Sequence, residues 1–320
     1  MKATVEASPS LALIKYWGKQ DGDRNVPATS SLAVTLDGLW TRTTAECAGD
    51  EDRIEVNGAL QPTTGRFAAL FGRVREATGY AGRFTVRSRN NFATAAGLAS
   101  SSSGFAALAA GCIRATGTEL ADAACSAIAR VGSASAARSI FGGFTVLREG
   151  AEAAEKIYDA SHWPELRVVV CTVKEAAKAL SSGSAMELTK RSSPFFSAWL
   201  EDARLLFEDA LGALAERNLP RLGELMRQSY LRMHATLLGS SPPVIYFEGD
   251  SLRIIALCAE LRRTGVDAWE TMDAGPQVKI LCTAEDANVV VRALARELPA
   301  LKTTVCRIGT GVRPTSEEVT

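Results

Sequence analysis

Four short stretches of the chain carry residue types suited to an anionic ligand. The segment Ile14-Lys15-Tyr16-Trp17-Gly18-Lys19 sets two ammonium groups and a phenol close together. An extended backbone alternates its side chains, so Lys15, Trp17 and Lys19 are expected on one side; a solvated basic edge also fits. Ala96-Gly97-Leu98-Ala99-Ser100-Ser101-Ser102-Ser103-Gly104 runs into an Ala-rich stretch. Small residues let backbone N–H groups close on an anion, a helix start adds partial positive charge, and the hydroxyls can hold phosphate oxygens or Mg²⁺. No Gly-Lys-Ser/Thr follows, so this is no Walker A loop, and a capped serine-rich loop explains it equally well. Arg138 stands among small residues between Gly132 and Ser139. It suits a two-point grip on a carboxylate or phosphate, although an exposed arginine after a helix is the simpler reading when taken alone. Finally, Met272-Asp273-Ala274-Gly275-Pro276 places one carboxylate between two apolar runs. By itself it reads first as a turn, then as a Mg²⁺ ligand or a base. Together the four point to a phosphorylated small-molecule substrate held by a backbone cradle, an arginine clamp, lysine cations and a carboxylate.

Composition narrows the field. In 320 residues, 36 Lys+Arg balance 36 Asp+Glu, which argues against nucleic acid as the main partner. His162 and His234 lie far apart, leaving no histidine-rich metal centre to build. No run of eighteen apolar residues suggests a membrane span, and Lys15 and Lys19 follow the first apolar stretch, the wrong order for a secretory signal. The seven cysteines show no C-x-x-C pair and sit among Ala, Val, Leu and Ile, as small buried hydrophobes do. A reducing cytoplasm is expected.

The elements that must position these groups follow from periodicity. Strand patterns cover Ser31–Leu36, Thr41–Ala45 and Ile54–Val56, with Asn57-Gly58 as a hairpin signal. Phe67, Leu70, Phe71 and Val74 mark an amphipathic helix from Thr64 to Thr78. A strand from Phe84 and two Ala-rich helices follow, the second over Glu119–Val131. Leu166–Val173 reads as a strand, residues 194–238 as helix with a break at Asn218-Leu219-Pro220, and a helix–strand–strand–helix–strand order closes the chain. The class is α+β without repeats, with a tight domain boundary near residues 180–190.

Taken in order from Ser8 to Gly311, these motifs resemble the mevalonate diphosphate decarboxylases, within the superfamily of galactokinase, homoserine kinase, mevalonate kinase and phosphomevalonate kinase. I-K-Y-W-G-K together with A-A-G-L-A-S-S is specific to the decarboxylase branch. The resemblance implies a two-lobed fold: an S5-like lobe over 1–185 with the ATP-phosphate loop, a ferredoxin-like lobe over 186–320, and the active site between them. It implies ATP and Mg²⁺, phosphorylation of a tertiary C3 hydroxyl and loss of CO₂, and a homodimer. Asp273 matches the essential aspartate that orients or deprotonates the hydroxyl, and Lys15 the lysine beside it. Arg138 matches the arginine on the C1 carboxylate. Tyr16, Trp17, Gly18, Lys19, Arg66, Ser133, Ser135, Ser182 and Met186 match substrate-binding positions. Gly97, Ala99, Ser100, Ser101, Ser102 and Ser103 match the ATP-phosphate loop, with Ser101 toward Mg²⁺.

Departures from the family pattern are Ser10 and Thr29 for Asn, Ala93 for Pro, and Gln277 for the Asn after Gly-Pro. Gly183 stands where bacterial members carry Arg and eukaryotic ones Thr, which removes a phosphate contact worth roughly 1.5–3 kcal/mol. Mevalonate 5-phosphate is therefore the expected substrate, with the 5-diphosphate, supported by Lys19 and Arg66, as the alternative. A mevalonate 3-kinase lacks the decarboxylase aspartate, so Asp273 counts against that activity; retention of Lys15, Asp273, Arg138 and the serine loop counts against a silent binding protein.

Overall fold

The computed structural model describes residues 1–21, 25–92, 100–174 and 180–319. The chain opens with β1 (Lys2–Ala7) and β2 (Ser10–Ile14), then a short ribbon of β3 (Lys19–Asp21) and β4 (Val26–Pro27). Next come β5 (Ser31–Thr35), β6 (Thr41–Cys47), β7 (Arg53–Val56), β8 (Ala59–Gln61), α1 (Arg66–Thr78) and β9 (Phe84–Asn90). After them run α2 (Ser100–Ala115), α3 (Asp122–Gly132), α4 (Ala134–Ser139), β10 (Phe144–Leu147) and β11 (Glu155–Tyr158). Asn57 and Gly58 turn β7 into β8, both at positive φ, as the Asn-Gly pair requires.

Two sheets build this first lobe. One has the strand order β1-β6-β9-β7-β8, and the other β11-β10-β5-β2. Helix α2 lies flat on β1 and β6 because alanines and Gly111 face the sheet: a Cβ on Gly111 would already touch Ala45 and Val5 at 3.5 Å. Phe71, Phe84, Val86, Leu108 and Ile128 fill the core beneath. Ser133 sits between α3 and α4 in extended conformation, so the small-residue stretch folds back and buries Arg138.

The second lobe holds β12 (Leu166–Thr172), α5 (Ser182–Ser192), α6 (Phe196–Ala215), α7 (Leu219–Leu238), α8 (Gly249–Arg263), β13 (Trp269–Met272), β14 (Val278–Thr283), α9 (Ala284–Glu297) and β15 (Lys302–Cys306). A last strand, β16 (Arg313–Pro314), returns to pair with β1. The sheet runs β13-β14-β12-β15, antiparallel throughout. β12 is apolar on both faces for a reason: Val168 and Val170 enter the core built with Leu11, Val34 and Leu206, while Val169 and Cys171 enter the one with Ile254 and Cys258. The change of sheet thus comes before Leu166, ahead of the boundary expected near 180–190, because β12 is the strand between β14 and β15 rather than the last of the first lobe. Asn218 caps α7, its side chain accepting from the Arg221 N–H at 3.1 Å, with Pro220 in the first turn.

Candidate active site

A cavity of about 500 Å³ opens between the lobes. β2 leads into it from one side and the β13–β14 turn from the other. Strand geometry stops at Ile14, and residues 15–18 are irregular, so the expected alternation along the lysine motif gives way to a turn. Gly18 adopts φ +102, and a Cβ there would lie 2.8 Å from the Phe196 ring. Glycine is therefore needed for the turn's shape, and Gly18 does not itself line the cavity. Lys15, Tyr16, Trp17 and Lys19 all reach the wall. The Trp17 indole N–H is spent on Thr189 Oγ1 at 3.0 Å, and its carbonyl accepts from Trp199 at 3.0 Å, which ties the motif to α5 and α6. Thr29, one of the departures from the family pattern, accepts from the Trp17 N–H at 3.1 Å.

Asp273 is the centre of charge. Lys15 Nζ donates to Oδ1 at 2.7 Å and Lys279 Nζ to Oδ2 at 2.9 Å. Both lysines are buried, whereas the Asp273 side chain keeps 27% of its surface open to the cavity. Burial alone would raise the Asp273 carboxyl, but the two ammoniums outweigh it and hold it well below the usual carboxylate range. Lys15 itself is pushed down to about 8 by burial, only partly offset by Asp273. Its backbone N–H is fixed by Ser229 Oγ on α7 at 2.8 Å, and its ammonium also donates to the Ala12 carbonyl. The Asp273 carbonyl accepts from Gly275 N at 2.8 Å and pairs with His234 Nε2 at 3.2 Å. Burial, and then the nearby Lys15 charge, push His234 down to about 4, so the ring is neutral near pH 7 and Nε2 carries the donated proton.

Arg138 is buried and lines the same cavity. Its Nη1 donates to Ser31 Oγ at 2.6 Å, and its Nε has no partner among the described residues. Burial lowers it to about 10, which leaves it charged near neutral pH. The Tyr16 hydroxyl is likewise buried without a hydrogen bond; burial raises it, and the nearby Arg138 and Arg130 only partly counter that. Donors left open beside a cavity are what an anionic ligand needs.

Ser133 and Ser135 line the wall with hydroxyls 3.0 Å apart, and Arg66 lies over the Phe105 ring at 4.9 Å while donating to the Gly132 carbonyl. Ser182 and Met186 also line it. Ser100 and Ser101 face the cavity from the start of α2 as described. Ser102 and Ser103 do not, contrary to expectation. Helical rotation turns them inward, where Ser102 Oγ accepts from Ser10 N and Ser103 Oγ meets Thr41 Oγ1 at 2.7 Å. Gly97 and Ala99 lie outside the described residues, as does Ala93.

Several groups escaped the sequence reading. Lys279 carries no sequence signal beyond its place in an apolar strand, and His234 none beyond its distance from His162. Asn25, Ser181 and Met233 also line the wall, and so does Ser10, one of the departures from the family pattern. Gln277, another departure, pins the turn to β12: its Oε1 accepts from Val173 N at 2.5 Å and its Nε2 donates to Lys174 O.

Residues 7–158 match the family model of the diphosphomevalonate decarboxylase-like N-terminal domain, and residues 168–316 match that of the mevalonate 5-diphosphate decarboxylase C-terminal domain. The chain belongs to the diphosphomevalonate decarboxylase family. The human diphosphomevalonate decarboxylase is 34% identical over 92% of this chain and 80% of that protein. A structure of mevalonate diphosphate decarboxylase from Enterococcus faecalis aligns with TM-score 0.90 at 34% identity, covering 98% of this chain and 99% of the other. A complex of MDDEF with MVAPP, AMPPCP and magnesium aligns with TM-score 0.92 at 35% identity, covering 98% and 99%. This family consists of ATP-dependent decarboxylases, and the change of sheet before Leu166 falls between the two matched domains.

Proposed function

We propose that the chain catalyses the ATP-dependent decarboxylation of mevalonate 5-diphosphate to isopentenyl diphosphate. The observation that carries this reading is the Lys15–Asp273–Lys279 cluster facing Arg138 across one cavity. The monophosphate expected from the sequence rested on the uncharged Gly183. The geometry weakens that argument: a Cβ at Gly183 would lie 3.7 Å from Lys19 Nζ, so an ammonium already stands where a longer side chain would project. Arg66, Ser133 and Ser135 add donors to the same wall. Relatives over most of the chain's length are named for the diphosphate.

The steps follow from the charges. Asp273 stays ionised, so it accepts a hydrogen bond from the C3 hydroxyl and aims that oxygen at the terminal phosphate of ATP. With so low a proton affinity it is a weak base. This suits a loose phosphoryl transfer, in which the hydroxyl proton leaves late. Lys15 and Lys279 offset negative charge at the reacting oxygen. Ser100 and Ser101, on the wall at the start of α2, fit a nucleotide phosphate with its Mg²⁺, which screens the triphosphate charge. Arg138 grips the C1 carboxylate. The C3 oxygen takes the terminal phosphoryl group, releasing ADP and giving up its proton late, to the Asp273 carboxylate. When the C3–O bond then breaks, inorganic phosphate leaves with that bond's electron pair, positive character at C3 draws the C1–C2 electron pair into a C2=C3 double bond, and CO₂ departs. Arg138 positions this step rather than driving it.

Steady-state kinetics with both mevalonate phosphates, following ADP and CO₂, tests the proposal. A higher kcat/KM on the monophosphate overturns the phosphate count, and ADP without CO₂ overturns the decarboxylation. The same reading carries a homodimer in the cytoplasm. Free cysteines, six of them buried, are in keeping with a reducing compartment, and light scattering reports the oligomer. Among the described residues no helix is long and apolar enough to cross a membrane.

A further inference from the structure

We infer that Lys279 is a positioning residue for the reaction: it clamps the second oxygen of Asp273, so that the carboxylate presents a fixed acceptor edge to the C3 hydroxyl. The inference rests on the reading of Asp273 given above.

Lys279 lies in β14, between Thr271 of β13 and Val170 of β12 in register. Its side chain is 3% exposed. Strand alternation puts it on the face of Leu281, which enters the core shared with Leu11, Val34 and Leu206; Val278, Ile280 and Cys282 enter the other core. An ammonium in such a place is costly to bury, and an apolar residue would fill the sheet at less expense in desolvation. What distinguishes the position is its distance to Asp273 Oδ2, 2.9 Å.

The two lysines divide the carboxylate between the lobes. Lys15, after β2, takes Oδ1; Lys279, from β14, takes Oδ2. One contact would leave the carboxylate free to swing about its χ2. Two contacts, one on each oxygen, fix its plane, while His234 and Gly275 fix the backbone of the same residue. Charge points the same way. Among the described residues lining the cavity Asp273 is the one carboxylate, and Lys15, Lys19, Arg66 and Arg138 line it with positive charge. The titratable and charged groups facing Asp273 are Lys15 and Arg138 from the first lobe, Lys279 from β14 and His234 from α7. Removing Lys279 therefore loosens the carboxylate and takes away one of the cations that favour its ionised form.

The test uses the full chain with mevalonate 5-diphosphate and ATP, comparing Lys279→Met, Lys279→Arg and Asp273→Ala. Lys279→Met is expected to lower kcat about tenfold to a hundredfold with the KM for ATP within about twofold of wild type. The acid limb of the kcat profile should move to higher pH, and Lys279→Arg should restore part of both. Wild-type kcat in Lys279→Met overturns the inference. So does a loss of kcat with an unmoved acid limb, which marks a merely structural residue. If Lys279→Met does not fold by thermal melting, Lys279→Arg decides: a displaced acid limb or kcat supports the clamp, and a wild-type profile overturns it. Asp273→Ala separates the two readings. If it retains turnover, the role of Asp273 itself is wrong; if it abolishes turnover while Lys279→Met behaves as wild type, only the inference about Lys279 fails.

Discussion

Lys15 Nζ meets Asp273 Oδ1 at 2.7 Å, joining residues 258 positions apart in the chain across the interlobe cavity. Each is held independently of the other. Ser229 fixes the Lys15 backbone, and Gly275 and His234 hold the Asp273 carbonyl, so the pair is an assembled site rather than a chance surface bridge.

Replacing Asp273 with Asn keeps the shape and removes the charge. Turnover is expected to fall by at least about a hundredfold, because a neutral amide cannot hold the hydroxyl as a charged acceptor does. Lys15 and Lys279 lose their counter-ion at the same time, so stability at neutral pH should drop by up to about 3 kcal/mol. Urea titration alongside ADP release measures both. Full turnover in Asp273→Asn would remove the residue from the mechanism.

Lys15 is expected to set the alkaline side of the rate profile. Burial brings it to about 8, so above that pH the cluster loses a positive charge and Asp273 a partner. The kcat/KM for the mevalonate substrate should fall as pH rises through about 8, with ATP saturating. A rate that stays flat to about pH 10 would show that Lys15 keeps its proton in the working enzyme.

His234 governs stability in mild acid. Its folded value of about 4 lies below the ordinary 6.5, so the unfolded chain takes up a proton first as pH falls. Stability is therefore lost between about pH 6.5 and pH 4, by about 3 kcal/mol in all. Below that window Asp273, whose folded value is also depressed, adds a further loss as the unfolded carboxyl protonates. Chemical denaturation at pH 7 and pH 5, repeated on His234→Gln, should show the slope in wild type and a flatter one in the variant.

Lys19 should carry much of the discrimination for a second phosphate. In Lys19→Met the kcat/KM for the diphosphate is expected to fall about tenfold or more, and that for the monophosphate by less. An equal fall on both substrates would place Lys19 at the first phosphate instead.

Arg138→Gln is expected to remove the proposed grip on the carboxylate while Ser31 remains to bond the amide. The kcat/KM for the mevalonate substrate is expected to drop by about a hundredfold, with ATP binding retained. Isothermal titration with a nucleotide analogue beside the kinetics separates the two effects. Loss of nucleotide binding in this variant would mean that Arg138 serves ATP.

Much of this protein was legible in its sequence. Phe67, Leu70, Phe71 and Val74 marked α1, and Asn57-Gly58 marked the β7–β8 turn. Asn218 and Pro220 marked the break between α6 and α7. These are local effects, set by side-chain periodicity and backbone preference within a few residues. Lys15, Arg138 and Asp273 were singled out too, although each has a plainer reading when taken alone, and their expected roles came from the resemblance to the family. What depended on pairing between distant segments was not. The place of β12 in the second sheet follows from hydrogen bonds to β14 and β15, which no local pattern encodes. The inward turn of Ser102 and Ser103 follows from where α2 packs.

The sequence by itself determined the family and most of the elements, and it singled out the candidate reacting groups. Tertiary structure decided which charges share one low-dielectric space. It set Lys279 on the second oxygen of Asp273, neutral His234 behind that residue, and Lys19 beside Gly183. Electrostatic energy depends on separation and burial, and chain order fixes neither until the lobes have closed on each other.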